Sequence, residues 1–277
     1  MSERFADLHI HTNFSDSTAS PEEVVVEAHA LGLSAIAVTD HDTVDGLPFA
    51  VAAAKPLGLE VIVGVELSSE YKGKDIHMLG YAFDLEDSPL VRQLKAMQQA
   101  RIERMKKMLV RLNELGKGGI ELQDVADMTR SDSVGRLHLA KILLARGHVS
   151  SLDEAFMKYL GEGAAAYYPK FQQTPFEAIK LINDSGGVAV MAHPILTQRD
   201  ELIPELVKAG LGGLEAYYPN CLMASVNSYL DMVKKYDLVA TGGSDAHGAS
   251  KTNTHIGKSY VPYHWVERLK ERAKKRI

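Results

Sequence analysis

Histidines and carboxylates stand in this sequence where a folded chain would gather them. His9 and His11 lie two residues apart in an apolar run, so on a strand their side chains share one face. Asp16 follows in the adjoining loop. Asp40 and His41 close a second apolar run, Glu66 closes a third and His77 lies on a fourth. His193 follows a fifth run, and Asp245 and His247 stand beyond the last. Mixed imidazole nitrogen and carboxylate oxygen donors suit manganese, zinc or iron. Nine of them exceed the needs of one tetrahedral ion. His9, His11, Asp16, His41, Glu66, His77, His193, Asp245 and His247 therefore predict a site for two or three divalent metal ions, manganese first, with zinc or iron as alternatives.

Taken singly, these residues have plainer readings. Asp40 could be a helix N-cap, and Glu66 or His77 could form a core hydrogen bond. Jointly they do not, because so many polar groups at the edge of a core are costly to desolvate unless cations compensate them. His29, His138, His148, His255 and His264 belong to no strand-end pattern and read as surface or packing residues, with His138 and His255 the exceptions to watch.

For the nine to meet, the elements that carry them must end at one place. Short apolar runs at 6–12, 35–39, 60–66, 76–83, 188–192, 213–217 and 238–242 alternate with amphipathic stretches, the pattern of an α/β fold with parallel strands. In barrels of this kind, catalysis occurs at the C-terminal ends of the strands. Helix starts are marked by capping signals. Ser20-Pro21-Glu22-Glu23 and Thr174-Pro175-Phe176-Glu177 each supply a hydroxyl, a proline at the first turn and a glutamate three residues on, and Ser151 to Glu154 repeats the box without proline.

Residues 88–168 read differently. Leu90, Leu94, Met97, Met105, Met108, Leu112 and Leu115 keep a helical spacing that stops near Gly116, and shorter helices are expected over 122–128, 134–145 and 152–160. We therefore expect a barrel domain from residues 1–87 and 169–277, and a helical insertion, 88–168, packed as a cap beside the site. The cluster Arg101, Arg104, Lys106, Lys107 and Arg111 reads as the solvated face of the long helix. Tyr167 and Tyr168 read as core packing.

The chain has 277 residues, 45% hydrophobic and 24% charged, ordinary values for a globular protein with a sizeable core. A net charge of -5 argues against a generic nucleic-acid coating surface, so no stable DNA binding is expected. A phosphorylated small molecule or an RNA end is still admitted, since metal ions supply positive charge locally. The single cysteine, Cys221, excludes an internal disulfide and reads as a packing residue. With no basic-then-apolar leader and no apolar run near the roughly 18 residues that span a bilayer, no membrane association and a cytoplasmic location are expected.

Asp7-Leu8-His9-Ile10-His11-Thr12, Thr39-Asp40-His41-Asp42, Gly64-Val65-Glu66, Ala192-His193-Pro194 and Gly243-Ser244-Asp245-Ala246-His247 together resemble the motifs of the PHP (polymerase and histidinol phosphatase) family, in order along the whole chain. The resemblance implies a distorted (β/α)7 barrel with a trinuclear site. On that pattern His9, His11, Glu66 and Asp245 would hold one metal, Glu66 as a bridge with His77 and His193 a second, and Asp16, His41 and His247 a third. Within the family, Gly135-Arg136-Leu137-His138, Tyr159-Leu160-Gly161 and Tyr167-Tyr168-Pro169-Lys170 resemble a group of small stand-alone bacterial enzymes. Those enzymes remove the 3′-phosphate of 3′,5′-bisphosphonucleotides or trim RNA from its 5′ end.

Two ions sharing Glu66 would acidify a bridging water, so that hydroxide could attack phosphorus near neutral pH. His9, His11, Glu66, His193 and Asp245 are then the expected catalytic set, acting on a nucleotide or an RNA 5′ end. Arg136 is the expected phosphate clamp, through the fork geometry of guanidinium. Ser133 could add a hydroxyl, with Lys170 and Arg199 as further substrate-binding candidates. Two alternatives stay open: a histidinol-phosphate phosphatase, and a non-catalytic PHP module stabilised by metal.

Overall fold

A computed structural model describes residues 3–86, 88–128, 134–169, 173–251 and 253–275. Its strands are β1 (Phe5–Ile10), β2 (Ala35–Val38), β3 (Glu60–Leu67), β4 (Glu70–Tyr71), β5 (Lys74–Asp75), β6 (Met78–Tyr81), β7 (Val188–Met191), β8 (Gly213–Tyr217), β9 (Val239–Gly242) and β10 (Val261–Pro262). All but the β4–β5 hairpin form one sheet in the order β10-β1-β2-β3-β6-β7-β8-β9. The segment after β9 returns to β1, where Asp245 N donates to His9 O at 2.8 Å and His11 N donates to Ala246 O at 3.0 Å. The sheet is thus an almost closed barrel.

The parallel pattern is broken at the edge strand β10, antiparallel to β1, and within the sheet at β6. β6 runs antiparallel to both β3 and β7. The reason is local: β3 reaches β6 through a short hairpin, and a hairpin can join only antiparallel strands. The reversal puts the start of β6 at the C-terminal ends of its neighbours, so His77, just before that strand, arrives at the same rim as Glu66 and His193.

Helices α1 (Pro21–Ala30) and α2 (Leu47–Ala54) follow β1 and β2, and α7 (Pro175–Asp184) leads into β7. Between β6 and α7 lie α3 (Pro89–Glu114), α4 (Leu122–Ala126), α5 (Arg136–Ala145) and α6 (Leu152–Ala155). After β7 come α8 (Pro194–Thr197) and α9 (Ile203–Lys208), then α10 (Met223–Lys235) after β8 and α11 (His264–Lys274) at the end. The Ser20 and Thr174 capping boxes form as expected, and the Ser151 hydroxyl accepts from Glu154 N. None of the helices is long and apolar enough to cross a membrane, among the described residues.

α3 links the two parts of the molecule. It starts at the base of the barrel, where Leu90 N donates to Ser185 Oγ at 3.0 Å, and its 26 residues rise about 39 Å. Leu90 and Leu94 pack with Ile179 and Ile182 against the barrel. Met105, Met108, Leu109 and Leu112 pack instead with Leu139, Leu143, Ala155 and Leu160 in a separate helical core. The helix ends where expected, at Gly116, whose φ of 69° is the left-handed turn that favours glycine.

Candidate metal centre

A bulge in β1 aims the first two histidines. Leu8 packs in the barrel interior, whereas Ile10, on the same strand parity, packs outside against α1 and α2. The register with β2 shifts between Asp7 and Ile10, and that extra residue turns His9 and His11 inward above the apolar layer. Tyr81, fully buried across the barrel, donates its hydroxyl to Leu8 O at 2.6 Å. Gly243 makes room for this strand, since a Cβ there would come within 2.3 Å of His9 N.

Glu66 stands at the middle of the cluster. Its Oε2 is 3.2 Å from His9 Nε2, 3.1 Å from His11 Nε2 and 3.3 Å from His41 Nδ1. Its Oε1 is 2.9 Å from His77 Nδ1 and 3.0 Å from His193 Nε2. Asp245 Oδ1 lies 3.5 Å from His9 Nε2 and 3.3 Å from His11 Nε2, and those two nitrogens are 3.1 Å apart. Four donors around one ion at about 2.0–2.1 Å are separated by about 3.3–3.4 Å, so this spacing fits a metal ion. A second group lies outward, where His11, Asp16, His41 and His247 bring ligand atoms within 4.8 Å of one another. Asp16 Oδ1 is 3.3 Å from His247 Nε2 and 3.8 Å from His11 Nδ1. Both nitrogens are buried and have no hydrogen-bond donor or acceptor among the described residues. Such lone pairs are what a cation would satisfy.

The protonation pattern agrees. A carboxylate or carbonyl can only accept, so His9 Nδ1 donates to Glu215 Oε1 (2.9 Å) and His247 Nδ1 donates to Asp245 O (2.8 Å). In the neutral ring the opposite nitrogen of each is then a lone pair facing the cluster. Burial works against charge on Glu66, but the imidazoles around it hold its carboxyl well below the usual range. His11 is buried too, yet its contacts with Asp245 and Glu66 push it up to about 9. Incoming metal ions would displace such protons.

Several residues that build the site carried no motif. Glu215, 1% exposed on β8, orients His9 and also accepts the backbone N–H of His193 at 2.6 Å. The available signal was a lone carboxylate within an otherwise apolar strand. Tyr218 donates to Asp245 Oδ2 at 2.8 Å and Lys251 does so at 3.2 Å, which leaves Oδ1 for the cluster. Asp40 caps no helix. It accepts from Thr12 N (2.7 Å), Thr12 Oγ1 (2.6 Å) and Ser15 Oγ (2.5 Å), pinning the loop that carries Asp16. Asp42, His193 and Asp245 hold φ values of 52°, 27° and 49°, strain that the surrounding contacts must sustain.

One cleft joins the outer group to the helical insertion. Its walls include Asp16, His41 and His77 on one side and Arg101, Arg104, Arg136 and His138 on the other. Arg101 and Arg104 are therefore not solvated-face residues. The helix that bears them runs up the barrel wall, and its turn at this height faces the cleft rather than solvent. Arg136, the first residue of α5, donates to Leu160 O at 3.2 Å and lies 5.8 Å from the ring centres of Phe156 and Tyr167. Arg199 sits past α8 beside Glu201, at 2.8 Å, and does not line this cleft. Ser133 and Lys170 lie outside the described residues. His255 lines a separate small cavity behind His11.

A sequence profile of the PHP domain matches residues 7–182. The chain belongs to the PHP family. It is 33% identical over 247 residues to a 5′-3′ exoribonuclease of Haemophilus influenzae, covering 87% of this chain and 89% of that one. It is 30% identical to a phosphoribosyl 1,2-cyclic phosphate 1,2-diphosphodiesterase of Eggerthella lenta (91% and 97% covered). It is 29% identical to a 3′,5′-nucleoside bisphosphate phosphatase of Chromobacterium violaceum (91% and 90% covered). A crystal structure assigned as a metal-dependent phosphoesterase from Bifidobacterium adolescentis superposes with a TM-score of 0.84 at 30% identity, covering 96% of each chain. This PHP protein is accordingly a metal-dependent phosphoesterase with the barrel of its family, and its cluster suits divalent metal ions.

Proposed function

We propose that this PHP enzyme hydrolyses phosphate esters of nucleotides or oligonucleotides in the cytoplasm, as a 3′-phosphatase of 3′,5′-bisphosphonucleotides or a 5′-3′ exoribonuclease. The observation that carries this reading is the crowding of Arg101, Arg104 and Arg136 across the cleft from the metal-ligand groups. Burial, together with the charges of Arg136 and Arg101, pushes Arg104 down to about 10. Asp42 is paired with Arg101, so the remaining positive charge calls for an anion from outside. A substrate with a phosphate at the metal centre and another under the insertion supplies it. Residues 88–168 act as the cap of this cleft in this reading, with residues 1–87 and 169–277 as the barrel.

His9, His11, Glu66 and Asp245 would hold one metal, Glu66 with His77 and His193 a second, and Asp16, His41 and His247, with His11 close by, a third. Bound there, divalent ions, manganese first, would activate water and offset charge on the phosphoryl oxygens. Glu215 keeps His9 and the His193 backbone in place, while Tyr218 and Lys251 hold the outer oxygen of Asp245. Arg136 would bind a substrate phosphate through its fork of N–H donors.

The test is a panel of purified enzyme with manganese, zinc or iron(II) on 3′,5′-bisphosphonucleotides, short 5′-phosphorylated RNA, a ribose 1,2-cyclic phosphate and histidinol phosphate. Fastest turnover on one of the first two is expected. Preference for the cyclic sugar phosphate or for histidinol phosphate by tenfold or more would overturn the nucleotide reading.

A further inference from the structure

The helical insertion does more than roof the cleft. Beyond the anchoring of Leu90 and Leu94 at the barrel base, it makes polar contacts with the loops that carry the outer ligand group. From α3, Gln98 Nε2 donates to Thr43 Oγ1 at 3.0 Å and to Asp45 Oδ2 at 2.9 Å, and Arg101 pairs with Asp42. All three partners follow His41 directly. From α5, His138 lines the cleft together with Ser15 and Asp16, and Lys141 donates to Ser250 Oγ at 3.2 Å, three residues past His247. Glu66, by contrast, is set by its own place on β3, and His9 and His193 are held by Glu215 from the barrel.

The loop after His41 needs such support. Asp42 is fully buried with a left-handed φ of 52°, a conformation that persists in a non-glycine residue only when its surroundings enforce it. Ser68 N donates to Asp42 Oδ1 at 2.8 Å, Arg101 takes the other oxygen, and Gln98, only 9% exposed, ties down the next turn.

We infer that the insertion is a structural part of the outer metal site, with Gln98, Arg101 and Lys141 as positioning residues for His41 and His247. Metal binding at that group and docking of the insertion then strengthen each other by the same factor, as linkage requires. This rests on the metal-centre reading above. It separates two kinds of ligand: those fixed by the barrel before the insertion docks, and those completed by it.

Manganese titration of metal-free protein by calorimetry, without substrate, tests the inference, paired with hydrogen exchange of α3 and α5 followed by mass spectrometry. Gln98→Leu and Arg101→Met should weaken the last-binding manganese equivalent about tenfold, within the usual range of coupling energies, and leave the tighter equivalents unchanged. Lys141→Met, on a different helix, repeats the test should either α3 variant fold poorly. Manganese should slow exchange in α5 and the second half of α3 in the wild type, and not in Asp16→Asn. Variants that bind manganese like the wild type, or an insertion whose exchange ignores manganese, would overturn the coupling alone. A wild-type protein that takes up no manganese, zinc or iron would overturn the metal-centre reading with it.

Discussion

Glu66, buried behind the His41 and His77 wall of the cleft, and Arg136, on the opposite wall, are held in different ways. Glu66 lies near the end of an eight-residue strand hydrogen-bonded on both sides, is 1% exposed, and is surrounded by imidazoles that fix its two oxygens. Arg136 opens a ten-residue helix within a group of short helices whose hydrophobic core is separate from that of the barrel. The barrel wall is rigid because strand pairing and burial determine it. The helical wall depends on side-chain contacts and a second, smaller core. Chemistry that tolerates little displacement belongs on the first, and recognition of a variable substrate belongs on the second.

The largest expected effect breaks the barrel wall. Glu66→Ala or Asp245→Ala should lose bound metal, measured by elemental analysis, and reduce kcat by on the order of 10³ or more, beyond the cost of one charge-stabilising donor. Retained turnover in either would refute the assignment of the centre to the barrel. Next, Glu215→Gln leaves one acceptor for two donors, His9 Nδ1 and His193 N. Metal affinity or kcat should fall roughly 10–100-fold, as when other partners that orient metal ligands are removed. Arg136→Ala probes the opposite wall. KM should rise roughly 10–100-fold, the worth of a charged hydrogen bond, with metal content unchanged. A loss of metal instead would move Arg136 to the metal side of the comparison.

The smallest effect lies at the barrel base, far from both walls. Tyr263 donates to Glu60 Oε2 at 2.5 Å and Lys270 pairs with the other oxygen, joining α11 to β3. Partial burial raises the Glu60 carboxyl, but Lys270 and Tyr263 outweigh it and hold the group below its ordinary value. A depressed carboxyl stabilises the fold above the unfolded-state value near pH 4, and that stability is lost as pH falls through the folded-state value. Glu60→Gln should therefore lower stability slightly at pH 7, by less than about 1 kcal/mol given the exposure of the pair, read as a small drop in melting temperature. Its difference from the wild type should shrink towards pH 3, with kcat unaltered throughout.

Much of the barrel was legible because its signals are local. Apolar runs ended at histidines and carboxylates, capping boxes opened α1 and α7, and Gly116 closed α3. The direction of β6 was not legible, since the two-residue strands of the hairpin before it carry almost no pattern. Nor was the face shown by His9. Alternation alone places Leu8 and Ile10 on one side, and only pairing with β2 reveals the bulge that separates them. Arg101 and Arg104 were misread as solvated because helical spacing gives the angle between side chains, not the surface a helix meets.

The sequence by itself determined which residues could bind metal, the family they signal and the elements that bear them, because residue type, spacing and turn chemistry act over a few positions. The tertiary structure alone decided that Glu215 holds His9 and His193 across the barrel, that Tyr218 holds Asp245, and that α3 secures the loop of His41. Those contacts join residues from 22 to 206 positions apart. Separations of that size are resolved only when strand register and helix packing bring distant segments together.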